Sequence, residues 1–114
     1  MENIVNYMPI EIDDNKNEWH FIMPDSSYSP IVNQGDVIYI NKKEKELQDG
    51  LTYLFFSQDR NDEFLIRKVS YSISGQLRLT SNDISDLVNE EEFIKKYYTV
   101  GRVTQAVTLT KKVF

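Results

Sequence analysis

Short runs of β-branched and aromatic residues, each bounded by a turn signal, leave this chain few folds to choose from. Val37-Ile38-Tyr39-Ile40 follows Gly35-Asp36, and Leu51 to Phe56 follows Asp49-Gly50. Gly and Asp tolerate tight backbone reversals, so each pair marks the start of a strand. Trp19 to Met23 is a short apolar run that stops at Pro24. Phe64 to Ile73 is rich in β-branched and aromatic residues, and Ser74-Gly75 predicts a hairpin turn into Gln76 to Thr80. Val100 to Leu109 alternates loosely, with Thr and Val dominant. Glu11 to Glu18 is polar and acidic and is expected to be a loop. These six strand-like segments predict a mainly β domain with little helix. Ser85 to Tyr97, with Glu90-Glu91-Glu92 ahead of Lys95-Lys96, is either a short helical turn or an irregular loop.

Size and charge narrow the function. At 114 residues the chain predicts a single domain over 1–114, with one hydrophobic core. Its net charge of −5 argues against direct grip on a phosphate backbone, which needs a basic stripe. Lys42, Lys43 and Lys45 cluster, but Glu44 and Glu46 interleave with them, the pattern of a solvated turn. Without cysteine there is no disulfide, thiolate metal site or cysteine nucleophile. The single histidine, His20, excludes a two-histidine metal centre, and no cofactor is expected. No apolar run reaches membrane-spanning length, and Met1 to Tyr7 lacks the basic start of a signal peptide. The expectation is a cytoplasmic protein without a membrane partner.

The segment Pro24-Asp25-Ser26-Ser27-Tyr28-Ser29-Pro30, followed by Gly35-Asp36 and an apolar strand, carries more information. It resembles the LexA and lambda-repressor family of self-cleaving repressors, whose carboxy-terminal domains share a complex β-fold with signal peptidase. Counting back from Pro30 puts Ser27 at the nucleophile position, with Tyr28 in place of the family's Met and Ser29 in place of its acidic residue. Asp49-Gly50 before Leu51-Thr52-Tyr53, Leu65-Ile66-Arg67-Lys68-Val69, Leu77 to Asp83 and Val100-Gly101-Arg102-Val103 resemble later family segments in the same order. The resemblance covers about Trp19 to Val107 and implies a LexA/signal-peptidase-like fold.

The family's chemistry pairs a serine with a buried, neutral lysine that takes the serine proton. Here Arg67 stands at the lysine position, and an arginine keeps its proton. Lys68 is the alternative base, but neighbours on a regular strand point to opposite faces. If Leu65, Arg67 and Val69 face the site, Lys68 faces away. The family also cleaves its own chain at a small residue followed by Gly, and the 26 residues before Ser27 contain neither Gly nor Ala. The dyad is therefore expected to be degenerate, with Ser27 a relic or a hydrogen-bonded turn residue.

Other candidates have simpler readings beside the functional ones. His20 next to Trp19 is a structural histidine or a third catalytic member. Asp36 is the turn aspartate of a Gly-Asp start, or half of a carboxylate pair with Asp25. Tyr97 and Tyr98 with Tyr71 form either an aromatic contact surface or an amphipathic strand edge.

The resemblance implies a homodimer that pairs repressor subunits, with Val100 to Leu109 and Val113-Phe114 contributing. DNA would be met only through an amino-terminal helix-turn-helix domain that this chain lacks, and a regulatory protein such as a recombinase filament could switch the pairing. Two rival functions stand beside this one. The first is an active Ser–Lys self-cleaving peptidase of the DNA-damage (SOS) response, using Ser27 and Lys68. The second is a free-standing mobile-element protein that binds a host regulator.

Overall fold

Alternating side chains, buried on both faces of the middle strands, dictate a single sheet with a core on each side. The structure, a computed structural model, describes residues 17–26, 28, 32–60, 63–81 and 84–108. The strands are β1 (Glu18–Ile22), β2 (Val37–Asn41), β3 (Thr52–Ser57), β4 (Phe64–Tyr71), β5 (Leu77–Ser81), β6 (Ile84–Val88) and β7 (Tyr97–Val107), and one helix, α1 (Glu90–Lys96), lies between β6 and β7. They form one seven-stranded sheet in the order β1-β2-β7-β3-β4-β5-β6. Every pairing is antiparallel. The mainly β expectation holds, and the six predicted segments overlap β1 to β5 and β7.

On β3, Leu54 and Phe56 join a core with Phe21, Ile38, Ile40 and Ile66, while Tyr53 and Phe55 join a second core with Val69, Leu77 and Leu79. Successive residues of a strand point to opposite faces, so these are the two sides of the sheet. The second core is closed by α1. Phe93 meets Phe55 edge-on at 5.0 Å and stacks on Tyr97 at 5.1 Å. Asn89 caps the helix, its Oδ1 accepting the Glu92 N–H at 3.1 Å. The acidic first turn and basic last turn suit the helix dipole.

One strand escaped sequence reading. Ser85 to Val88 belongs to β6, not to a helical turn or loop, and the helix starts only after Asn89. Ile84-Ser85-Asp86-Leu87-Val88 lacks clean alternation because four of its five residues are exposed on a sheet edge. Asn89 three residues before Glu92 was the available start signal.

β7 is inserted between β2 and β3 and is irregular. Its register shifts between Leu54 and Phe55, where Val100 is the extra residue between partners Gly101 and Thr99, and again opposite Tyr39/Ile40. Such bulges bend and twist a strand. Gly101 sits where β7 presses on β2. A Cβ there would collide with the Asn41 carbonyl oxygen and lie 2.9 Å from Ile40 Cγ2. The turn after β2 is also tied to β7. Arg102 Nε and Nη2 donate to the two carboxylate oxygens of Glu44 at 2.9 Å each, and Asn41 Nδ2 donates to Glu44 Oε2 at 2.8 Å. Lys42, in the same turn, is buried. This turn is therefore anchored and not simply solvated.

Two outcomes are expected. Gly101→Ala should destabilise the fold by about 1–3 kcal/mol, the usual cost of overpacking, read as a lower urea midpoint with unchanged slope. The Arg102 hydrogen bonds hold the Glu44 carboxyl below its ordinary value of 4.5. A carboxyl depressed on folding stabilises above its unfolded value and loses that contribution as pH falls through the folded one. Glu44→Gln should therefore make stability fall less steeply than wild type below about pH 4.5.

Candidate functional site

The loop between β1 and β2 is pinned at its base. Met23 N–H donates to the Asp36 carbonyl at 2.8 Å, and Gly35 N–H donates to the Met23 carbonyl at 2.9 Å. Gly35 has φ +93°, the left-handed conformation that this closure uses. The Asp36 carboxylate is buried and accepts the Asn33 N–H at 2.9 Å. Asp36 is thus a turn residue, whereas Asp25 is exposed. Ser27 lies outside the described residues, but its flanks do not. Met23, Tyr28 and Val32 are all buried in the first core with Ile66. Tyr28 serves as a core anchor.

That packing decides which face of β4 the loop meets. Phe64 and Ile66 face the first core, and Leu65 and Val69 face the second. Arg67 is paired with Tyr53 of the second core, and its Nη1 donates to the Ile66 carbonyl at 2.8 Å. Alternation therefore puts Arg67 on the α1 side and Lys68 on the side of the Ser27-bearing loop. Lys68 is flanked by its register partners Thr52 and Thr80 and is exposed. A lysine becomes a base by losing solvent, and an arginine stays protonated. Neither position supplies a buried amine.

The remaining candidates separate. His20 is exposed on the face of β1 opposite the first core, its ring 5.6 Å from that of Tyr39. It is on the wrong side of the sheet for the Ser27-bearing loop. Tyr97 and Tyr98 diverge, Tyr97 stacking on Phe93 and Tyr98 meeting Phe56 edge-on at 5.8 Å. Tyr71 lies on the α1 side, its hydroxyl donating to Glu90 at 3.4 Å. The three tyrosines form no common surface. Burial, then the Glu63 carboxylate that accepts its O–H at 3.2 Å, raises the Tyr97 phenol. Among the described residues no cluster of His, Asp or Glu could hold a metal ion. No described helix is long and apolar enough to cross a membrane.

Two features were invisible in the sequence because cross-strand register creates them. At one end of the sheet Ile22, Val37 and Val107 are register partners across β1, β2 and β7. They form an apolar row on the face opposite the first core, beside the row His20–Tyr39–Gln105. Ile22 is 61% exposed, and none of the three belongs to either core. From Val103 to Val107, β7 pairs with β2 alone, since the β3 ladder stops at Arg102. At the other end, a cleft of about 330 Å³ is lined by Leu65, Leu79, Val88, Phe93 and Tyr97, with Glu92 and Lys96 from α1.

No protein-family model matches the chain. It is similar to UPF0313 proteins of Clostridium botulinum strains 657 and Okra, 31% identical to each over 72 residues. The match takes in 54% of this chain and 11% of each relative, so the chain spans about a ninth of the length of these curated proteins.

The face assignment on β4 has a direct consequence. Arg67→Lys should not generate self-cleavage in a longer chain that carries a small-residue–Gly hinge, assayed by gel at alkaline pH. Cleavage in that variant would mean that position 67 reaches Ser27.

Proposed function

We propose that this chain is a LexA-like interaction module, without enzymatic activity, that pairs the subunits of a transcriptional repressor. The observation that carries the reading is the apolar row Ile22–Val37–Val107, outside both cores, exposed at Ile22 and half-buried at Val37 and Val107, where the end of β7 meets β1 and β2. A two-fold axis through such a patch buries the same side chains from both copies. The ordered resemblance from Trp19 to Val107 supports the family assignment, and the exposure of Lys68 with Arg67 on the far face supports loss of the dyad. DNA is then contacted by a separate helix-turn-helix domain, consistent with the net charge of −5 here. The match to a small part of longer proteins fits a module joined to other domains. Cytoplasmic residence and control by a recombinase filament belong to the same proposal.

A second reading has one observation in its favour. Lys68 and the Ser27-bearing loop share a face of the sheet, so a self-cleaving Ser27–Lys68 pair needs no change of strand direction. In a hinge-bearing longer chain that pair would cut faster as pH rises and lysine loses its proton, and Ser27→Ala would stop it. Chains that stay intact through long alkaline incubation would remove this reading.

Sedimentation equilibrium tests the pairing. Wild type should show a concentration-dependent dimer, and Ile22→Asp should weaken it at least tenfold while leaving thermal unfolding within a few degrees. A monomer at every concentration overturns the proposal.

A further inference from the structure

β6 is the sheet's other edge, and among the described residues no strand lies beyond it. Its backbone polarity follows from the ladder. Ser72 N–H donates to the Gln76 carbonyl at 2.9 Å where β4 turns into β5. Alternation from that bond directs Lys68 and Ser70 toward Arg78 and Thr80, and Leu77, Leu79 and Ser81 toward β6. The partners Val88, Asp86 and Ile84 therefore face β5, and Ser85 and Leu87 turn their N–H and C=O groups to the open side. An open edge of this kind is a template for an added strand.

The side chains specify what that strand must be. Ile84, Asp86 and Val88 lie on the α1 face of β6, opposite Ser81, Leu79 and Leu77. Ile84 is 67% exposed, and Asp86 is exposed and has no ion-pair partner among the described residues. Val88 borders the apolar cleft beside Leu79 and Phe93. The edge thus reads apolar–acidic–apolar at every second residue, which complements apolar–basic–apolar. Cross-strand opposite charges stabilise a pair and like charges oppose it. A second copy pairing antiparallel about Asp86 would bring two Asp86 carboxylates together, so self-pairing is disfavoured.

The geometry points to β6 as a docking edge for an extended segment of another protein with the pattern apolar-x-basic-x-apolar. The basic residue pairs with Asp86, and one apolar residue covers the mouth of the cleft at Val88. Five residues of β6 limit the added strand to about that length before Asn89 starts the helix. The inference stands apart from the pairing proposed above, which uses the opposite end of the sheet.

Fluorescence anisotropy with a labelled Thr-Val-Thr-Lys-Thr-Val-Thr peptide tests it, with Glu replacing Lys as control. Wild type should bind the Lys peptide saturably and the Glu peptide at least tenfold more weakly. Leu87→Pro removes an outward N–H while leaving the β5–β6 ladder intact, and should weaken binding at least tenfold. Asp86→Lys should reverse the preference between the peptides and keeps the test decisive if the proline variant fails to fold. Absence of saturation at millimolar protein, or equal binding of both peptides, overturns the inference. Loss of self-association in Leu87→Pro with peptide binding unchanged would assign the edge to a second copy and overturn it as well.

Discussion

The close approach of β7 to β2 at Gly101 is the contact on which the sheet depends. β7 is the one strand bonded to both parts of the chain, to β2 on one side and β3 on the other. Without it, β1 and β2 would be a two-stranded hairpin, too small to be stable in water alone. The first core crosses this seam, drawing Ile38 and Ile40 from β2, Val100 from β7 and Leu54 from β3. A side chain at position 101 would hold the two strands apart at the Asn41 carbonyl. The bidentate Arg102–Glu44 pair next to it ties the β2–β3 connection to the same strand.

How much of this was legible depended on burial. β3 and β4, with buried side chains on both faces, announced themselves through β-branched and aromatic runs, β3 directly after the Asp49-Gly50 turn. β6 did not, because an edge strand with four exposed residues has little hydrophobic periodicity to display. The Gly35-Asp36 turn was read correctly from residue type, since a left-handed Gly and a carboxylate accepting a local N–H are short-range chemistry. The candidate site was legible only in part. Alternation on β4 predicted that Arg67 and Lys68 diverge, but not which of them shares a face with the Ser27-bearing loop. That depended on Met23, Tyr28 and Val32 packing against Ile66, a long-range contact absent from any local pattern.

The two ends of the sheet differ in what they expose. The β1–β2–β7 end presents a row of apolar side chains, Ile22, Val37 and Val107, which suits side-chain contact with a like surface. The β6 end presents unpaired backbone and an isolated carboxylate, which suits directional pairing with an unlike one. A sheet with a different core on each face can keep these ends apart, because β3 is buried on both sides and separates them.

The order of strands in space also has a consequence for synthesis on the ribosome. β7 is made last but belongs in the middle. Until it emerges, β2 and β3 each expose an unpaired edge next to half-formed apolar clusters, and such edges invite association between nascent chains. The turn residues Asn41 and Glu44, with Lys42 and Lys43 between them, flank the gap that β7 will fill. Once β7 is in place the same groups are tied down, Lys42 buried and Glu44 held by Arg102 of β7.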